Sequence, residues 1–293
     1  MLERHPIVAF LNRLMRSHQE LKYRAVEVAF DDQAEVFAAA LKEAETSGPA
    51  TLSLKEGFEY PGYYRDVEFH IKPGSYFVNE LAGLQYHYTM NLFMRRVAHA
   101  DESNRSYVNS LPEPEDGLVE RVLDLACSVG QSATALVERW PGAEVHAVDV
   151  APAMLRYATL RANGMGLPVH FSRQLAEDLE FEDGSFDVVF CYILFHEVPQ
   201  DMARRIIREA HRVLRPGGRF VVVDFMSRPT SDPAFTVDDY MRAWDREFNG
   251  EPYSVAFVRG DFTGALAEVF GSVVADHPLE GGGSYMSMRV ATK

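Results

Sequence analysis

Residues Arg121–Gln131 read RVLDLACSVGQ, and this stretch decides the fold. Val122, Leu123 and Leu125 form a dense apolar run interrupted by one acid, Asp124. The run passes through the small residues Ala126, Cys127 and Ser128 to Gly130, and Ser132–Trp140 has helix-compatible composition. Strand, tight turn and helix follow from that order, because a parallel strand covered on both faces is apolar throughout. Small residues in the turn let the backbone approach a ligand, and the helix start offers it unpaired N–H groups.

A second apolar run, Glu144–Asp149 (EVHAVD), ends on an acid nineteen residues past Gly130. A carboxylate at that strand tip can accept hydrogen bonds from both hydroxyls of a ribose. The dinucleotide fingerprint would place its glycines at Ala126, Ser128 and Gln131, so it fails at all three positions. The spacing that is met is Asp124-x-Ala126-x-Ser128-x-Gly130. Here the chain resembles the class I S-adenosylmethionine-dependent methyltransferases, with alanine and serine in place of two glycines of their first motif. Either substitution makes a turn position with positive φ less comfortable.

From Leu118 onward strands and helices alternate, which implies a parallel sheet covered on both faces. Strands are expected near 121–126, 144–149, 168–172, 186–192 and 219–225, with helices near 131–140, 152–163, 200–214 and 261–270. Ser272–His277 and Tyr285–Thr292 would form an antiparallel hairpin through the glycine-rich Leu279–Ser284. The expected fold is therefore α/β, a Rossmann-like methyltransferase sheet that is mainly parallel with an antiparallel C-terminal hairpin. Residues 118–293 would be the S-adenosylmethionine-binding domain. Residues 1–110 would be a mostly helical segment serving as lid, substrate wall or dimerisation arm, and Asp101–Gly117 a linker. Within that segment we expect helices at His5–His18, Ala34–Glu45 and Ser75–Ala98, with Tyr63–Ile71 extended.

The resemblance runs from about Val119 to Phe225 and implies the cofactor S-adenosyl-L-methionine, with S-adenosyl-L-homocysteine as product. Asp149 falls where the family's ribose acid stands, with Val150 and Met154 flanking the adenine. Asp124, Ala126, Cys127, Ser128 and Gly130 would surround the rest of the cofactor, together with Cys191. Gln174–Asp187, QLAEDLEFEDGSFD, follows the family's adenine-side pattern but puts Leu175 where an acid is usual. Ala176 would still offer its backbone N–H, and Gln174 or Glu177 a polar contact.

Cys191–Pro199, CYILFHEVP, resembles the segment that small-molecule members place beside the transferable methyl group. His196 matches its first polar residue and Glu197 replaces its second, which makes them the catalytic candidates. Open α/β sheets bind ligands beyond the carboxyl ends of their strands, and an ordinary imidazole can take a proton near neutral pH. Tyr76, Tyr86, His87 and Tyr88 are the candidate substrate contacts. They suit a small, aromatic or apolar acceptor, its accepting atom (oxygen, nitrogen or carbon) left open.

Bulk properties narrow the alternatives. A net charge of −14, from 43 acids and 29 bases, disfavours nucleic acid, whose partners usually present a basic face. Two cysteines allow neither a disulfide framework nor a four-thiolate metal site, and no metal is expected. Apolar runs are short and Met1–Pro6 lacks the order of a secretory signal, so the expectation is a cytoplasmic protein off the membrane. The apolar stripe Ile7, Phe10, Leu11, Leu14 and Met15 suggests a homodimer. Two competing readings are an NAD(P)-dependent oxidoreductase and a non-catalytic S-adenosylmethionine-binding or assembly protein. The first would need a Tyr-x-x-x-Lys pair or the missing glycines; the second draws on the altered glycines and Leu175.

Overall fold

A computed structural model describes residues 5–94, 100–227, 237–277 and 286–293. The chain opens with a long helix, α1 (Pro6–Asp31), then α2 (Ala34–Ala44), a short strand β1 (Thr51–Ser53), and the single turn α3 (Gly62–Arg65). Helices α4 (Ala82–Met94) and α5 (Ala100–Asn109) lead into the alternating region. There β2 (Arg121–Leu125), α6 (Gln131–Arg139), β3 (Glu144–Asp149), α7 (Pro152–Met165) and β4 (Val169–Arg173) follow in turn. They are succeeded by β5 (Phe186–Tyr192), α8 (Gln200–Val213) and β6 (Leu214–Phe225). Helices α9 (Val237–Phe248), α10 (Ser254–Arg259) and α11 (Phe262–Phe270) precede β7 (Ser272–His277) and β8 (Met286–Thr292).

The strands form one sheet in the order β1-β4-β3-β2-β5-β6-β8-β7. Pairing is parallel from β1 to β6, and β8 runs antiparallel to both β6 and β7. The fold is thus Rossmann-like α/β, and β7 and β8 meet the hairpin expectation; its connecting residues, Leu279–Ser284, lie outside the described residues. Strand order reverses between β2 and β5, so the crevice opens where the turns after those strands diverge. The central strands supply residues to both faces. Val122, Val145 and Val188 belong to one fully buried cluster, Leu123, Leu125 and Val189 to the other.

The N-terminal region departs from the sequence expectation in four places. The first helix runs to Asp31 instead of stopping near His18, since no glycine or proline interrupts it after Pro6. Tyr63–Ile71 is not extended: it holds α3 and a 3-10 turn, despite strand-favouring tyrosine, valine and phenylalanine. Here tertiary contacts prevail, the Tyr63 hydroxyl donating to Glu177 at 2.6 Å and the Tyr64 ring stacking on Tyr60 and Phe69. Ser75–Ala98 becomes helical only at Ala82, where the Asn79 side chain accepts from Leu81 N–H at 2.8 Å and so starts the helix late. Its expected end, beyond Met94, lies outside the described residues.

The fourth departure is α5, which occupies much of the expected linker. Asp101 and Glu102 favour its first turn, and buried Tyr107 and Val108 join the core beneath α6. Further contacts tie the N-terminal region to the alternating region. Thr51–Ser53 extends the sheet beside β4, and Gly83 of α4 lets that helix press on α7. A Cβ at Gly83 would stand 2.6 Å from the Ala153 carbonyl oxygen and 2.8 Å from Tyr157 Cβ.

Candidate active site

The turn after β2 contains three left-handed residues: Ala126 (φ 56°), Ser128 (φ 50°) and Gly130 (φ 73°). The positions that lost glycine are therefore the ones where glycine is most comfortable. Both non-glycine residues are small, and the turn is held by Cys127 N–H to the Val148 carbonyl at 2.9 Å and Gly130 N–H to the Cys127 carbonyl at 2.8 Å. A left-handed alanine costs about 1 kcal/mol. Ala126→Gly is expected to recover most of that and to raise the thermal midpoint by about 2 °C. A lower midpoint by differential scanning fluorimetry would show that the methyl group contributes packing instead.

Asp149 ends β3 at the edge of this turn. Its Oδ2 accepts from Ser128 N–H and its Oδ1 from Ala151 N–H, each at 2.9 Å. A carboxylate oxygen has two lone pairs, so both oxygens keep one for a further donor. Asp124 is fully buried in β2; the Ser132 hydroxyl donates to its Oδ2 at 2.6 Å, while its Oδ1 has no partner. Burial, with the charge of Asp149 nearby, raises Asp124 to about 7. An acceptor left unsatisfied beside this turn fits a ligand that brings its own donors.

Other expected cofactor contacts are placed as follows. Val150 lies by the guanidinium of Arg173, whose Nε donates to the Val150 carbonyl at 3.1 Å while its face covers the rings of Phe58 and Tyr60. Met154 and Ala176 are buried, and Leu175 pairs with Asp178 in an isolated bridge. Glu177 accepts from Tyr63, and Gln174 is engaged on both sides, its Oε1 by Glu180 N–H and its Nε2 by the Ser172 hydroxyl. Neither polar candidate for the adenine edge is thus without a protein partner. Cys127 and Cys191 are buried, and burial holds both thiols well above their usual range, so both are protonated.

His196 and Glu197 sit in a 3-10 turn directly after β5. His196 is buried, with Nδ1 at 2.8 Å from Asp224 Oδ1 and Nε2 at 3.9 Å from Glu197 Oε1. Asp224, fully buried near the end of β6, also accepts from Phe195 N–H at 2.8 Å and Phe225 N–H at 2.7 Å. Burial alone would lower His196, but the charge and hydrogen bond of Asp224, with Glu197 and Glu251, raise it to about 9. Glu197 is raised to about 8 by burial, against the pull of His196 and with the repulsion of Glu251, Asp224 and Asp149. At neutral pH this turn therefore holds an imidazolium bound to a carboxylate beside a protonated glutamic acid.

Of the four aromatic-helix candidates, two reach this place. Tyr86 lies against Ser128 of the turn, and both Tyr86 and Tyr76 feel the charge of Glu197. The structure does not bring His87 and Tyr88 to them. His87 bonds the Tyr157 hydroxyl at 2.7 Å and faces Asp101 at 3.3 Å, while Tyr88 is exposed and packs edge-on against Phe30. The sequence reading missed Asp224, His70, Glu251 and the aromatic group Tyr60, Tyr64 and Phe77. Asp224 carried a usable signal, since VVVDF is again an apolar run tipped by an acid.

The three raised groups make stability depend on pH. Asp124, Glu197 and His196 have ordinary values of 3.8, 4.5 and 6.5 and folded values of about 7, 8 and 9. Between those limits the folded chain binds more protons than the unfolded one, so stability falls as pH rises. The thermal midpoint is expected to drop steadily from about pH 5 to about pH 9. Asp124→Asn should flatten the part below about pH 7; a midpoint that rises over this range would contradict these assignments.

A family described as "Methyltransferase domain" matches residues 122–218. Demethylmenaquinone methyltransferase of Thermus thermophilus is 43% identical over 110 residues, 38% of this chain and 49% of that protein. A ubiquinone biosynthesis O-methyltransferase of Xanthomonas axonopodis pv. citri is 36% identical over 129 residues, 44% of this chain and 49% of its own length. The matches thus span about half the length of these curated relatives. Among solved structures, human N-acetylserotonin methyltransferase in complex with S-adenosylmethionine shares the fold, with a TM-score of 0.57 at 13% identity over 87% of this chain and 66% of that one. The residues matched by the family include the turn after β2 together with Asp149, His196 and Glu197. Residues 122–218 of the chain therefore match a methyltransferase domain, set in a Rossmann-like α/β fold.

Proposed function

We propose that the whole chain transfers the methyl group of S-adenosylmethionine to a small aromatic acceptor bearing a hydroxyl group. The observation that carries this reading is the pairing of the turn after β2, held by Asp149 at the end of β3, with the buried His196–Asp224 pair beyond β5. Asp149 would hold the ribose hydroxyls, Asp124 and the turn from Ala126 to Gly130 the amino-acid end, and Val150, Met154 and Ala176 the adenine. Bound there, the cofactor supplies an electrophilic methyl group on a sulfonium.

The protein's part is alignment and proton handling. Tyr76 and Tyr86 would wall the acceptor, and well-oriented reactants gain up to roughly 7–11 kcal/mol from positioning alone. A hydroxyl acceptor must lose a proton when its oxygen takes the methyl group. Glu197, raised to about 8 and a quarter exposed, is the group placed to receive it once it has ionised, so the reaction should quicken as pH rises toward 8. His196, locked to Asp224, supplies the positive charge that favours that carboxylate. The names of these relatives support a quinone-related ring as acceptor, and the one that is an O-methyltransferase supports a hydroxyl group on it.

A homodimer and a cytoplasmic location belong to the same reading. Ile7, Phe10, Leu11, Leu14 and Met15 are all exposed on α1, which supports self-association through that helix. Among the described residues no helix is long and apolar enough to cross a membrane. The test is incubation with S-adenosylmethionine and a panel of phenols, catechols and hydroquinones. Release of S-adenosylhomocysteine with a methylated hydroxyl supports the reading; methylation confined to amines or carbon would overturn the acceptor class.

A further inference from the structure

The 3-10 turn Phe69–Ile71 holds two successive left-handed residues that are not glycine. His70 has φ 57° and Ile71 φ 56°, with Ser75 at φ 50° four residues on. A left-handed β-branched residue is rare, and such strain persists only where the surroundings fix it. Here the fixing element is the turn after α9. A Cβ on Gly250 would stand 2.5 Å from the Glu68 carbonyl oxygen and 3.0 Å from Ile71 N, so the two turns are keyed together by that glycine.

What this geometry delivers is one imidazole. His70 Nδ1 lies 2.6 Å from the Tyr76 hydroxyl, which in turn is 3.4 Å from the Tyr23 hydroxyl of α1. On its other side His70 Nε2 is 3.5 Å from Glu197 Oε1 and 3.5 Å from Glu251 Oε1. Glu251 is buried, with Asn249 donating to Oε1 at 2.6 Å and no partner for Oε2. We infer that His70 is a positioning residue of the methyl-transfer site: neutral, it accepts the Tyr76 hydroxyl at Nδ1 and donates its Nε2–H between Glu197 and Glu251. The segment ahead of the methyltransferase domain thereby controls the protonation of Glu197. This inference rests on the proposed role of Glu197.

The electrostatics agree. Burial lowers His70, opposed by Glu251 and reinforced by His196 and Lys22, so a neutral ring with one N–H is the form expected at pH 7. A donor between two carboxylates offsets their mutual repulsion and makes Glu197 easier to ionise. The groups bearing on Glu197 besides His70 include His196 and Asp224 from the sheet side, Glu251 from the turn after α9, Asp149 across the crevice, and the hydroxyls of Tyr23, Tyr64, Tyr76 and Tyr86 from the N-terminal region.

The test uses the full chain labelled at histidine and glutamate, with Glu197 assigned through Glu197→Gln. Long-range proton–nitrogen NMR is expected to show His70 neutral at pH 7 with the proton on Nε2. Carboxyl carbon titration should show the Glu197 midpoint rising by roughly one pH unit in His70→Phe and returning toward wild type in His70→Gln, whose amide restores a donor. Tyr76→Phe should leave the protein folded and release the tautomer preference of His70. An imidazolium at pH 7, a proton fixed on Nδ1, or a Glu197 midpoint unmoved in folded His70→Phe would each overturn the inference. If His70→Phe fails to fold, the tautomer and the response to Tyr76→Phe decide. S-adenosylmethionine titration of the same samples separates the two claims, because absent binding defeats the proposed function and leaves the His70 result standing.

Discussion

Asp224→Ala is expected to destabilise the protein by about 3–5 kcal/mol, the usual consequence of removing one partner from a buried ion pair. Asp224 is fully buried and holds His196 Nδ1 at 2.8 Å together with the N–H groups of Phe195 and Phe225. Without it, His196 must either stay charged in the core or give up its proton, and two backbone donors lose their acceptor. Asp224→Asn keeps the shape and one acceptor oxygen but not the charge. It should cost less and bring His196 down from about 9 to below its ordinary 6.5, because burial would then act alone against weaker neighbours. Histidine NMR titration and denaturant unfolding read the two effects separately. An alanine variant of near wild-type stability would mean that His196 is neutral in the native protein.

Asp149→Ala should weaken S-adenosylmethionine binding by about tenfold or more. A charged carboxylate typically contributes about 1.5–3 kcal/mol per hydrogen bond, and tenfold is about 1.4 kcal/mol. The loss has a second source in this chain. Asp149 also accepts from Ser128 N–H, so it holds the turn that two non-glycine residues strain. Ser128→Gly in the Asp149→Ala background separates the parts: affinity regained there measures turn strain, and the remainder measures the ribose contact.

The parallel sheet and the turn after β2 were legible because they rest on local pattern. Apolar runs tipped by Asp124 and Asp149, at the right separation, state strand, turn and strand before any contact is known. The left-handed strain at Ala126 and Ser128 was legible too, since it follows from what replaced glycine. Asp224 was readable by the rule that picked Asp149, but its meaning depends on His196 standing opposite it across neighbouring strands. His70 had no such signal. Its position is fixed by a left-handed turn, by Gly250 nearly two hundred residues on, and by Tyr76, and only the folded chain brings these together. Likewise the aromatic helix divided on a point of phase: Tyr86 faces the turn, whereas His87 and Tyr88, one and two residues on, face Tyr157 and Phe30.

In the proposed function the turn from Asp124 to Gly130, with Asp149, would hold S-adenosylmethionine. Isothermal titration of the wild-type chain with S-adenosylmethionine, and with NADH and NADPH as controls, tests it most directly. Micromolar binding of S-adenosylmethionine is expected, with none of either nicotinamide cofactor. Binding of a nicotinamide cofactor in its place, or of none of the three, would contradict it.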